Sequence, residues 1–393
     1  MSATTAEVLV IGLGAFGSAV LCQLARRGVR AIGIDRFRPP HAMGSSHGET
    51  RITRLAVGEG AAYAPLVRRS HAIWRELERE AGEALLHETG GLIMAPRDSR
   101  ANHHGRENFV RRTIEVAERF DIPHEVLKAD EIAARFPQFG LRGDEIGYYE
   151  PSAGFLAPER CIATQLHLAQ RHGAVLRLEE RVLELHQDGD AVRVVTDRGR
   201  LEAARCVLTA GAWLPGLSTG PLKTLPRVHR QTLHWFAAGE AAAYAPGRFP
   251  VFIWMHGDSE TDYFYGFPGA AGGDVKVATE TYARNADPDL VDRCVTSAES
   301  MWMYEQHVAG RLRGVTDRVT RAAACLYTVT PDSGFVVDNP PGGDRILALS
   351  ACSGHGFKHS AGLGEAVALR VIGEPPTADL APFSLDRFAL ARG

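Results

Sequence analysis

Glu7-Val-Leu-Val-Ile11-Gly12-Leu-Gly14-Ala-Phe-Gly17 is an apolar run that ends in a G-x-G-x-x-G pattern, and its reading decides the fold. Glu7 to Ile11 reads as a buried strand, and Ala15 to Arg27 as a helix closed by Gly28. Arg30-Ala-Ile-Gly-Ile34 reads as a second strand and leads into Asp35. Strand, helix and strand within about 30 residues form the unit that binds a dinucleotide. In such a unit the first glycine makes the turn and the second lets backbone approach a pyrophosphate. The third lets helix and strand pack closely, while the helix N-terminus offers N–H donors to the phosphates. Asp35 lies 23 residues after Gly12, where a carboxylate accepts ribose hydroxyls and disfavours a 2′-phosphate. The motif does not separate FAD from NAD.

Working outward, 393 residues exceed a single core and predict two domains. The 45% hydrophobic and 23% charged content predicts a soluble globular protein. A net charge of −3 gives no footprint for nucleic acid or an anionic membrane. No apolar run approaches a membrane span, and the N-terminus lacks a basic signal-peptide region, so a cytoplasmic location is expected. Six cysteines without a Cys-x-x-Cys pair argue against a zinc site or disulfide framework and for a reducing compartment. The His103-His104 pair and the other histidines lack ligand spacing, so no metal is expected. Ala- and Arg-rich usage hints at a GC-rich bacterium.

Residues 36–54 read as loop with some helix, and Tyr63 to Glu80 as a strong helix. Amphipathic helical patterning fills 96–147, short strands fill 175–208, and aromatic strand-like sequence fills 229–267. A helical stretch spans 288–310, and a last strand at Arg345–Leu349 precedes a Gly-rich turn and a final helix. These features predict an α/β (α+β) protein: a Rossmann-like domain, discontinuous in sequence (1–95, 150–225 and 320–393), and a second domain on a mainly antiparallel sheet (96–149 and 226–319).

Five motifs in order carry a family resemblance: Gly44-Ser-Ser-His47-Gly-Glu-Thr50-Arg51-Ile-Thr-Arg54, Tyr265-Gly-Phe-Pro268, Lys276, Ala324-Cys325-Leu326-Tyr327-Thr328 and Ser353-Gly354-His355-Gly356-Phe357-Lys358. Together they resemble monomeric sarcosine oxidases and N-methyltryptophan oxidases, within the wider D-amino-acid-oxidase-like flavoproteins. The resemblance spans essentially the whole chain. It implies an FAD-dependent oxidase of a secondary or N-methyl amino acid, giving an imine that hydrolyses and hydrogen peroxide from O2. It implies a monomer whose partners are a small-molecule amine and O2.

By the same resemblance Cys325 carries FAD through a thioether; for a cysteine alone, a buried core role is the ordinary alternative. Arg54 and Lys358 match the cations that hold the substrate carboxylate, with two surface cations as the alternative. Tyr265 and Tyr327 match cavity-lining positions, with core packing as the alternative. His47, Thr50 and Arg51 match residues against the flavin ring, where positive charge tunes its potential. Ser45, Gly354 and Gly356 fall with the cofactor-binding segments. Lys276 matches the lysine that activates O2, a fixed cation stabilising the negative charge that develops there.

One departure concerns position 280, where the family usually has a histidine and this chain has Glu280. Glu280 facing the cavity would favour a bulkier or more basic substrate; paired with Arg284 or Arg54 it would say nothing about substrate. Two other chemistries stay open: oxidation of a cyclic imino acid, and dehydrogenation with another electron acceptor. A flavin-binding protein without turnover would leave Arg54, Lys276, Tyr327 and Lys358 unexplained.

Overall fold

The computed structural model describes residues 4–99, 102–269, 273–282 and 284–390. The opening stretch folds as read: strand Thr4–Ile11, helix Ala15–Arg26 and strand Ala31–Asp35, with Gly28 at φ 75° closing the helix. Thr4–Ile11 pairs in parallel with Ala31–Asp35 on one side and with Gly199–Leu208 on the other. This first sheet has eight strands, extended by Val175–Leu178, by the hairpin Val182–Asp188 with Ala191–Thr196, and by Val336–Asp338 with Ile346–Ser350. The fingerprint helix packs between helices Pro158–Arg171 and Ser360–Val371. Both neighbours present small or apolar residues, which join the cluster built around Val8, Val20, Leu24 and Trp74.

The second sheet also has eight strands, in the order 315–329, 227–238, 274–278, 263–267, 251–255, 91–96, 145–150, 125–128. Its pairs are antiparallel except Val251–Met255 with Gly91–Pro96. A small sheet of Arg51–Thr53, Gly154–Leu156 and Leu86–Glu88 fixes the start of the segment that carries Arg54.

Several expectations are corrected here. The 96–147 stretch holds helices Phe109–Arg119 and Ala129–Arg135, but also strands Glu125–Lys128 and Glu145–Glu150 of the second sheet. The expected helix at 288–310 begins only at Ser297, because Thr296 caps it and accepts from Glu299 N–H; a π-turn over Tyr304–Val308 ends it. Residues 36–54 contain the short strand Arg51–Thr53 and no helix. The domain boundaries move as well: Gly91–Pro96, Glu145–Glu150 and Val315–Val329 hydrogen-bond within the second sheet, so boundaries near 95, 150 and 320 cut through its strands. Cys325 and Tyr327 therefore sit on a second-sheet strand that reaches the first sheet's cavity. No helix among the described residues is long and apolar enough to cross a membrane.

Candidate active site

Between the sheets lies a cavity of about 820 Å³, lined among others by Gly12, Gly14, Asp35, Ser45, Arg51, Tyr327, Cys352, Gly354 and Gly356. The glycine geometry explains the fingerprint. A Cβ on Gly17 would lie 1.7 Å from the Gly12 carbonyl oxygen, so any other residue pushes helix from strand. At Gly14 the nearest atom is Ser46 Oγ at 3.8 Å, which leaves the backbone open to a phosphate. Asp35 is buried at the end of its strand and accepts from the N–H groups of Leu13 and Phe37, both at 2.7 Å. Each carboxylate oxygen keeps acceptor capacity toward the cavity.

Five expected residues gather at the Gly44–Arg51 loop: Ser45, His47, Thr50, Arg51 and Lys276. Lys276, buried on the strand Asp274–Ala278, donates from Nζ to Gly48 O (2.6 Å), Thr50 O (2.9 Å) and Thr50 Oγ1 (3.0 Å). Arg51 donates to Ser45 O at 2.6 Å and Thr50 O at 2.8 Å. His47 is buried with its Nε2 unpartnered among the described residues. Burial, Arg51 and Lys276 push its pKa down to about 3, so His47 is neutral and the loop's positive charge belongs to Arg51 and Lys276. Sequence reasoning missed Glu159, whose Oε1 accepts from the N–H groups of Gly48 (2.6 Å) and Glu49 (3.1 Å) and so ties the loop to the helix Pro158–Arg171. Only the Pro158-Glu159 helix start hinted at it.

Cys325 is 2% exposed, and burial pushes its thiol up to about 11 against the opposing pull of Arg51 and Lys276. Tyr327, two residues along, meets Tyr265 hydroxyl to hydroxyl at 3.1 Å.

Arg54 and Lys358 converge on Glu59, a residue no motif marked. Arg54 Nη2 donates to both Glu59 oxygens (3.0 and 3.2 Å), Nη1 donates to Ala56 O, and Nε is buried without a partner among the described residues. Lys358 Nζ lies 3.8 Å from Glu59 Oε1 and donates to His355 O at 2.8 Å. Burial pulls the Lys358 pKa down to about 7, with Glu59 opposing and Arg54 adding to the fall. Glu150 accepts from the N–H groups of Leu55 and Ala56 and holds the backbone after Arg54.

Glu280 pairs with neither Arg284 nor Arg54. Its carboxylate takes His104 Nε2 at 3.0 and 3.2 Å and the Tyr282 hydroxyl, while His104 Nδ1 lies 3.3 Å from Glu59. Burial alone would lower the His104 pKa, but Glu280 and Glu59 outweigh it and raise it to about 9. Among the described residues no group of three His, Cys, Asp or Glu side chains is placed to hold a metal ion.

Residues 7–370 match the family model described as FAD dependent oxidoreductase, DAO. The chain is 36% identical to monomeric sarcosine oxidase of Streptomyces avermitilis over 93% of both chains. It is 31% identical to N-methyl-L-tryptophan oxidase of Salmonella newport, covering 98% of this chain and 99% of that one. Among solved structures, NikD, an unusual amino acid oxidase essential for nikkomycin biosynthesis, superposes in its open form with a TM-score of 0.81 at 25% identity over 97% of each chain. The L-proline dehydrogenase from P. horikoshii superposes at 0.80 with 19% identity over 99% of each. The glycine cradle, Asp35 and the cavity that Arg51 lines fit FAD. With the fingerprint, the cavity and relatives above 30% identity along almost the whole length in agreement, the chain belongs to the FAD dependent oxidoreductase family.

Proposed function

We propose that this chain oxidises the carbon–nitrogen bond of a secondary or N-methyl amino acid, with O2 as electron acceptor and hydrogen peroxide as product. The observation that carries the reading is the pair Arg54 and Lys358, both buried and converging on Glu59, with Arg54 Nε–H lacking a partner among the described residues. A buried guanidinium donor without an acceptor is costly, and a substrate carboxylate supplies the acceptor. When bound, FAD takes two electrons and a hydrogen from the carbon next to nitrogen and passes the electrons to O2.

The chain's own residues do the rest. Arg54 and Lys358 hold the carboxylate, which fixes the orientation of the neighbouring amine. Tyr265 and Tyr327 pair their hydroxyls at 3.1 Å, and Tyr327 lines the cavity. Lys276 holds a cation where charge develops on O2. The imine hydrolyses after release, giving formaldehyde where an N-methyl group was oxidised. We also propose that the enzyme works as a monomer, as the name of its Streptomyces relative states of that protein.

The test is anaerobic mixing of the yellow holoprotein with sarcosine, N-methyl aromatic amino acids, cyclic imino acids and basic N-alkyl amino acids. Bleaching by a secondary amino acid, with peroxide formed once air returns, is the expected result. A flavin left yellow by every amine would sink the reading, and bleaching without peroxide would transfer it to a dehydrogenase.

Covalent attachment through Cys325 belongs to the same proposal. The thiol needs to become a thiolate to attack, and Arg51 and Lys276 are the cations that favour it against burial. Acid precipitation is expected to keep the yellow colour in the pellet for the native chain and release it to the supernatant for Cys325→Ser. Colour released from both would remove the linkage from the proposal.

A further inference from the structure

His104 places its side chain between Glu59, the partner of the proposed clamp, and Glu280. His104 adopts φ 51°, a left-handed backbone uncommon outside glycine, and its buried imidazole reaches a carboxylate on either side. Glu59 lies 3.3 Å from Nδ1, and Glu280 lies 3.0 Å from Nε2. A neutral imidazole donates from one nitrogen only, so with Glu59 and Glu280 both held in the ionised form this geometry suits the protonated ring. The pair also abuts the turn that leads to Lys358: a Cβ on Gly354 would lie 2.7 Å from both Glu280 Oε1 and His104 Nε2.

We propose that His104 is a positioning residue that sets how tightly the substrate carboxylate is held, by offsetting part of the Glu59 and Glu280 charge that together would otherwise neutralise Arg54 and Lys358. The proposal rests on the carboxylate clamp of the proposed function. With His104 protonated, three cations (Arg54, Lys358, His104) face two carboxylates (Glu59, Glu280), and one substrate carboxylate completes the balance. With His104 neutral, Glu59 weighs wholly on the clamp and Glu280 becomes an uncompensated charge nearby, so the substrate carboxylate is repelled. Glu280 is thus the counter-ion that keeps His104 charged rather than a free carboxylate awaiting a basic substrate. The other groups around the His104–Glu280 pair are His103 on its own segment, His355 on the glycine turn, Tyr263 and Tyr282 beside Glu280, and Lys358 across Glu59. His103 and His355 are both pushed toward the neutral form, first by burial. Tyr282 donates its hydroxyl proton to Glu280.

The test is the affinity of the holoprotein for propionate, followed by the flavin absorbance between about pH 6 and pH 10. Propionate has no amine, so binding is read without turnover. Lys358 gives the native protein one fall in affinity near neutral pH, and His104 gives a second as pH passes about 9. His104→Gln is expected to bind about tenfold more weakly at neutral pH and to lack the upper fall. Glu280→Gln is expected to shift that fall to lower pH, and it serves alone if His104→Gln does not fold. Native affinity and an unchanged upper limb in a folded, yellow Glu280→Gln would overturn the proposal. A native protein that amines bleach but propionate never perturbs would overturn the clamp and this proposal with it. A propionate profile with the His104 limb, in a protein that no amine bleaches, would support the bridge while the oxidase reading failed.

Discussion

Lys276→Met is expected to slow re-oxidation of the reduced holoprotein by O2 by about 10²- to 10³-fold, with anaerobic bleaching by substrate nearly unchanged. Stopped-flow mixing of the reduced protein with oxygenated buffer measures the first quantity, and anaerobic mixing with amine the second. Burial and the Arg51 guanidinium both push the Lys276 pKa well below its ordinary value. Its surroundings oppose that push: Nζ meets the carbonyl oxygens of Gly48 and Thr50 and the Thr50 hydroxyl within 3.0 Å, an arrangement that the three protons of an ammonium satisfy. We take Lys276 as an ammonium, held still and facing the ring surfaces of Phe267 (4.5 Å) and Trp235 (5.5 Å). A cation already fixed before charge develops needs no reorganisation when O2 is reduced, which is the source of the large effect. Methionine keeps the volume and removes the charge. Re-oxidation at the native rate, in a variant with a native flavin spectrum, would assign the role to Arg51 instead.

Arg54→Gln carries the second large effect, a fall in kcat/KM for a carboxylated amine of about 10²- to 10³-fold, expressed mainly in KM. Losing one partner of a buried charged pair costs about 3–5 kcal/mol, because the other charge stays behind. Here that charge is Glu59, left with Lys358 at 3.8 Å and His104 at 3.3 Å. The site then has no surplus positive charge to offer a substrate. Steady-state kinetics on the best amine of the panel measures the change. A drop confined to kcat, with KM unchanged, would show that Arg54 does not hold the ground-state carboxylate.

How much of this was legible in the sequence depended on whether a feature repeats locally. The glycine fingerprint, its helix and Asp35 are set by spacing along one short segment, and all lie where their order predicts. Cys325 and Tyr327 were found through motif resemblance, yet the strand that carries them was placed on the wrong side of the domain boundary. Nothing in Val315–Val329 itself says that it pairs with Arg227–Ala238. The strand Glu125–Lys128 was missed because four residues with one buried position carry no readable period, and Glu145–Glu150 because burial on both faces removes the alternation; the helix Pro158–Arg171 was missed as well. Glu59, His104 and Glu159 were illegible for a different reason. Each acts through a partner distant in sequence (His104 and Glu280 are separated by 176 positions), and no local pattern encodes such a meeting. Position 280 was noticed only as a departure, and its partner had to be supplied by the fold.

The bridge of two carboxylates and one imidazole has a consequence for how such a site can change over generations. His104 and Glu280 together add no net charge, so a lineage that loses both passes from one balanced arrangement to another. Losing either alone strands a buried charge, and the intermediate is penalised whichever step comes first. Mutational scans made one position at a time would therefore score both residues as intolerant, although the pair as a unit is dispensable to the charge balance. Substrate range at this wall is reached by exchanging residues 104 and 280 in a single library, with Glu59 left in place.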